Sequence, residues 1–231
     1  MPVRPSEMTG RHDRARSPTT GGVGDPKRVV ADGYDAIAET YRDWAEAVAW
    51  PRLDWLALLE ARLADGSDVL ELGCGAGVPV TGRLAERHRV TAVDLSPRQV
   101  ELTRANVPGA TVLEGDALAL ELPEASFDAV VSLYMTGHVP RDEQASLLGR
   151  IARWLRPGGH LLITLTRGGS DGVVEEDWLG APMFFAGEEP ETNLERLRER
   201  GFELLRAELV PQVEFGREVQ FVWVLARRAG S

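Results

Sequence analysis

The chain has 231 residues, 43% of them hydrophobic, with 36 acidic against 26 basic side chains and a net charge of −10. That length and apolar content suit one globular domain with a full core. The acidity argues against nucleic acid, whose binding draws on Lys and Arg to neutralise phosphates, and against an anionic membrane surface. Cys74 is the one cysteine, so no internal disulfide can form. With no signal-peptide pattern and no apolar run near the ~20 residues of a membrane span, a reducing cytoplasm is expected.

Residues 1–28 are rich in Arg, Pro, Ser, Thr and Gly, and the composition predicts a flexible tail. Arg4, Arg11, Arg14 and Arg16 there are read as solvated charges or as contacts for something anionic. From Val29 to Val48, Tyr34, Ile37, Ala38, Tyr41 and Ala45 fall at helical spacing. Pro51 starts a second helix carrying Leu53, Leu56, Leu59 and Leu63, and Gly66 closes it. These two helices make a cap over 29–65.

The core, 66–228, alternates short apolar runs near 68–72, 89–93, 111–114, 127–133 and 159–166 with helical patterns near 79–87, 97–106, 142–155 and 192–200. Such alternation predicts an α/β fold, a parallel sheet covered on both faces. Two strand patterns close the chain, Glu203–Val210 and Glu218–Ala226, with Pro211 and Gly216 between them and no room for a helix. They should pair antiparallel, and the apolar run Val219–Leu225 belongs inside the sheet.

The stretch Val69–Val78 leads from an apolar run into Gly73, Gly75 and Gly77, and a helical pattern follows. A strand, tight turn and helix start fit it, and glycine lets a ligand lie against the backbone. A dinucleotide fingerprint wants G-x-G-x-x-G, but position 78 is Val and Glu71 precedes the first glycine. A carboxylate there would repel a pyrophosphate and suit a sulfonium nucleoside; the plainer reading is a turn beside a solvated acid.

Glu71-Leu72-Gly73-Cys74-Gly75-Ala76-Gly77, then Asp94, Gly115-Asp116-Ala117 and Leu155-Arg156-Pro157-Gly158-Gly159, resemble the ordered motifs of class I S-adenosylmethionine-dependent methyltransferases of the small-molecule type. Tyr34–Tyr41 resembles the arm that lies over the cofactor in that family. The resemblance, from about Tyr34 to Arg227, implies a Rossmann-like fold with seven mostly parallel strands, an antiparallel last strand, helices on both faces and an N-terminal helical arm. It implies S-adenosylmethionine as cofactor, with Tyr34, Tyr41, Glu71, Gly73, Cys74, Gly75, Gly77, Val78, Gln99 and Leu133 around it. Asp94 would take the ribose hydroxyls, and Asp116 the adenine amine between Leu95 and Ala117, beside Gly115.

Methyl transfer to O, N or S of a small acceptor is an in-line displacement that alignment alone accelerates. A hydroxyl acceptor would want a base, and His138 is the candidate; its other reading is a hydrogen bonder that fixes its loop. Residues 168–191 are expected to form an acceptor-side lid loop over a hydrophobic ligand, or else a plug of the core. Trp178, Met183, Phe184 and Phe185 in it, with Tyr134 and Met135, are the candidate acceptor contacts; Trp44 and Trp50 are assigned to the same cavity, and Glu175, Glu176 and Asp177 are read as a greeting for a cation or as a solvated face. His12, His88, His138 and His160 show no metal-ligand spacing. A small-molecule acceptor, no nucleic acid or membrane, and a monomer or homodimer are expected. Competing readings are transfer or cyclisation of the aminocarboxypropyl arm, a nicotinamide oxidoreductase, and a non-catalytic cofactor binder.

Overall fold

The computed structural model describes residues 24–47, 51–214 and 216–230. The expected tail lies outside them up to residue 23, with Arg4, Arg11, Arg14, Arg16 and His12, as does Trp50. Residues 26–28 correct the tail boundary, because they open helix α1 (Pro26–Ala36), where Pro stands at the first turn and the Asp25 side chain accepts from Lys27 N–H. The single helix expected over 29–48 is two: α1 stops at Ile37 (φ −110°), and α2 (Ala38–Ala47) follows. Helix α3 (Arg52–Glu60) ends well before Gly66, whose φ of +75° serves a later turn and not the helix end.

The core strands and helices are β1 (Asp68–Leu72), α4 (Val80–Ala85), β2 (Arg89–Asp94), α5 (Pro97–Asn106), β3 (Thr111–Glu114), β4 (Phe127–Ser132), α6 (Arg141–Trp154) and β5 (Leu155–Thr166). After them come β6 (Ser170–Trp178), β7 (Ala181–Gly187), α7 (Pro190–Glu199), β8 (Phe202–Glu214) and β9 (Arg217–Arg228). The main sheet has seven strands in the order β3-β2-β1-β4-β5-β9-β8. β1 to β5 pair in parallel, and β9 runs antiparallel between β5 and β8. The closing hairpin reaches further than its sequence pattern, since Pro211 lies within β8. β8 is the sheet edge, the position that tolerates a residue without a backbone donor.

Side-chain alternation fills both faces. Leu70, Leu72, Val130, Leu161, Ile163, Val222 and Val224 join Leu147, Ile151 and Trp154 of α6 in one cluster. Val69, Ala129, Val131, Leu162, Trp223 and Leu225 join Trp55, Leu56, Leu59 and Leu84 of α3 and α4 in the other. The Trp55 and Trp223 rings stack at 5.5 Å, a pairing worth about 1 kcal/mol beyond area burial.

Residues 168–191 are not a loop. β6 and β7 form a separate two-stranded hairpin that packs against α1. At the crossing, a Cβ on Gly33 would stand 2.6 Å from the Pro182 carbonyl and 2.9 Å from Met183 Cε. Asp35 of α1 accepts from Ser96 Oγ and from Arg98 N–H at the start of α5, which fixes the arm to the core.

Candidate functional site

Strand order reverses between β1 and β4, and the loops that follow these strands open the crevice where open α/β sheets receive ligands. The two loops nearly touch: a Cβ on Gly73 (φ +72°) would lie 2.8 Å from Met135 Cβ. Tyr134 holds a φ of +63°, strained for a non-glycine residue. Its neighbours over-determine that conformation. Tyr134 N–H donates to Thr164 Oγ1 at 2.5 Å, its hydroxyl donates to Gln212 Oε1 at 2.9 Å, and its ring meets Phe221 edge-on at 4.9 Å.

A cleft runs along these loops. Tyr34, Tyr41, Gly73, Gly75, Asp94, Leu95, Gly115, Asp116, Ala117, Leu133, Tyr134, Met135 and His138 line it, so most of the expected residues do meet. Asp94 Oδ2 accepts from Gly75 N–H at 2.8 Å and Oδ1 from Ser96 N–H at 3.0 Å, which braces the carboxylate at the strand tip. Burial pushes its pKa up against these bonds. Glu71, Cys74 and Val78 line an adjoining recess with Arg52 and the glycine loop.

Gly77 and Gln99 line neither space. Gly77 (φ +78°) is the seat of Thr103, whose Cγ2 would meet an added Cβ at 2.9 Å. Gln99 is fully buried on α5 with no partner for either amide atom. The Cys74 thiol is buried against Thr103, and burial pushes its pKa up, so it is no thiolate.

Glu71 is not the solvated acid of the plainer reading. It is 5% exposed, and Thr81 Oγ1, in the first turn of α4, donates to its Oε2 at 2.7 Å. Burial, which outweighs that bond, and the nearby Asp94 charge raise its pKa from 4.5 to about 8. A carboxyl thus sits beside the glycine loop, bonded to a side chain in the first turn of α4.

Of the two readings of His138, the geometry favours the hydrogen bonder that fixes its loop. Its Nδ1 lies 2.9 Å from the Phe184 carbonyl, which can only accept, so Nδ1 carries the proton. Its Nε2 then accepts from the Tyr34 hydroxyl at 2.9 Å. Burial lowers the pKa to about 4 despite the Phe184 bond, so the ring is neutral at physiological pH and its one lone pair is taken. His138 ties α1, the 3₁₀ turn Thr136–His138 and β7 together.

Beyond Tyr34 and Tyr41 a second cavity of about 750 Å³ is lined by Trp44, Tyr134, Trp178, Phe185 and Phe221. Met183 and Phe184 do not line it. Both are buried with Val30 and Ile37 in the cluster that holds the hairpin on α1, and the Phe184 ring covers Gly172. Met135 faces the first cleft and not the second. Glu175, Glu176 and Asp177 are exposed.

Sequence reasoning missed three residues. Lys27 Nζ pairs with Asp116 Oδ2 at 2.8 Å and with Glu143 Oε2 at 2.5 Å, at the Asp116 end of the cleft. The Arg52 guanidinium lies 4.5 Å from the Tyr134 ring centroid and 5.1 Å from that of Trp44. Glu214 lines the second cavity. Lys27 stands in the first turn of a helix that follows tail-like sequence, and the partners of the other two come together only through the fold. Among the described residues, no three His, Cys, Asp or Glu side chains gather as a metal site, and no helix is long and apolar enough to cross a membrane.

Comparison with known proteins agrees with this architecture. Residues 69–159 match the family model described as a methyltransferase domain. The chain is 34% identical over 159 residues to a 27-O-demethylrifamycin SV methyltransferase of Amycolatopsis mediterranei, covering 58% of this chain and 57% of that one. It spans about half the length of the curated relatives it matches. Among solved structures, a Burkholderia thailandensis 1,6-didemethyltoxoflavin-N1-methyltransferase superposes with a TM-score of 0.68 at 24% identity, over 92% of this chain and 94% of that one. The [4+2]-cyclase SpnF superposes at 0.66 with 19% identity, over 87% and 95%. At these identities the likeness carries the fold and not the reaction.

Proposed function

We propose that this chain, a class I S-adenosylmethionine-dependent methyltransferase by its fold and by the domain matched over residues 69–159, moves a methyl group from S-adenosylmethionine to O, N or S of a small organic acceptor. The observation that carries the reading is the shape and charge of the cleft. It has a glycine cradle that a side chain would fill at Gly73, and a braced carboxylate at the β2 tip. Glu71 adds a second buried carboxyl beside the glycine loop, bonded to Thr81. These features fit a nucleoside that carries a cation and no phosphate, and they disfavour a dinucleotide.

In this reading Asp94 holds the ribose hydroxyls with its remaining lone pairs. Asp116 faces the base, flanked by Leu95 and Ala117, while Lys27 closes that end. Glu71 and Arg52 take the ammonium and carboxylate of the amino-acid end. When bound, the nucleoside supplies a methyl carbon already activated by its sulfonium. The chain's own contribution is alignment in a space walled by Tyr34, Tyr41 and Tyr134, worth several kcal/mol without a covalent step. No base is assigned. Helices α1–α3 act as the cap, and the β6–β7 hairpin as the acceptor-side lid. The single cysteine supports a reducing cytoplasm, and the net charge of −10 disfavours nucleic-acid partners.

The test is product analysis after incubation with S-adenosylmethionine and a panel of phenols, thiols, amines and carboxylates. S-adenosylhomocysteine with a methylated acceptor is the expected outcome. Methylthioadenosine would instead establish transfer of the aminocarboxypropyl arm.

A further inference from the structure

We propose that the cavity beyond Tyr34 and Tyr41 selects a planar acceptor with a basic nitrogen, which Glu214 pairs. This rests on the methyl-transfer reading and names its substrate class. Trp44, Trp178, Phe185 and Phe221 give the cavity flat walls. The Tyr41 ring lies 5.6 Å from that of Trp44 and 6.0 Å from that of Trp178, centroid to centroid. Such walls take a planar ring, and their electron-rich faces attract a cation.

Among the lining residues Glu214 is the one charged side chain, since His138 is neutral. It is a built feature of the site. Tyr134 donates to Gln212 Oε1, and Gln212 Nε2 donates in turn to Glu214 Oε1 at 2.5 Å, so a chain of bonds fixes the carboxylate. Burial holds its pKa above the usual range, while Gln212 and Arg52 work the other way. Arg52 also lines the adjoining recess with Glu71 and the glycine loop.

An acidic acceptor would face like charge at Glu214. A neutral one would add nothing to the Gln212 bond and the Arg52 charge that only partly offset the burial of Glu214. A protonated amine on a flat ring satisfies both the walls and the carboxylate.

The experiment compares three indoles of matched shape, tryptamine, tryptophol and indole-3-propionate, titrated into the protein saturated with S-adenosylhomocysteine. Tryptamine should bind at least ~10-fold more tightly than tryptophol, and indole-3-propionate most weakly. Glu214→Gln should erase the preference while leaving the S-adenosylhomocysteine affinity and the Tm in place. Equal binding of the three in the wild type overturns the proposal, and so does binding of none while the nucleoside still binds. The wild-type ranking decides the matter even where the variant fails to fold. Absence of heat with the nucleoside itself would overturn the underlying methyl-transfer reading instead.

Discussion

Glu71→Gln tests whether the carboxyl beneath the glycine loop is held neutral. Burial raises this group from 4.5 to about 8 although Thr81 donates to it, and the nearby Asp94 charge adds to the rise. A displacement of that size corresponds to about 5 kcal/mol between the two protonation states. The folded chain binds this proton more tightly than the unfolded one. The stability it contributes is therefore full below pH 4.5 and lost as pH rises through about 8. Gln keeps an oxygen for Thr81 and does not titrate. Relative to the variant, the wild type should lose about 3 kcal/mol between pH ~5.5 and pH ~9. Urea unfolding at several pH values reads this as diverging midpoints at constant slope. Parallel stability curves for the two proteins would refute the buried, neutral carboxyl.

Gly73→Ala should lower stability by ~1–3 kcal/mol and abolish nucleoside binding, because the added Cβ meets Met135 at 2.8 Å and φ is +72°; denaturant melts and calorimetry check both. His138→Gln should leave the shape of the pH–rate profile near neutrality unchanged, since the ring is already neutral; a lost ionisation would show that His138 does carry a proton in turnover. Because burial lowers the His138 pKa from 6.5 to about 4, its stability is full above pH 6.5 and lost as pH falls through about 4. That acid loss, up to about 3 kcal/mol, should vanish in the variant. Lys27→Met breaks two half-exposed ion pairs and should cost less than ~1 kcal/mol globally, yet speed amide exchange in α1, read by mass spectrometry.

β1, buried on both faces, announces itself as an apolar run and stands where the pattern puts it, as do the edge strand β3 and helix α5. The glycine loop was legible because positive φ and close approach both demand glycine at Gly73. The β6–β7 hairpin was not. β6 is largely exposed and acidic, its register shifts between Ser170 and Val173 and again before Trp178, and its apolar contacts are with α1 far away in sequence. The partners of His138 hid for a similar reason, since Tyr34 and Phe184 lie 104 and 46 residues away. Helical spacing marked Tyr34 and Tyr41 as one face, but not the break at Ile37, where α1 turns across the hairpin.

Titration calorimetry with S-adenosylhomocysteine, on the wild type and on Asp94→Ala, addresses the central claim most directly. The account predicts one site per chain in the wild type, weakened at least ~10-fold when the carboxylate at the β2 tip is removed, with NAD giving no heat on either protein. Silence with the sulfur nucleoside, or a response to NAD in its place, would contradict it.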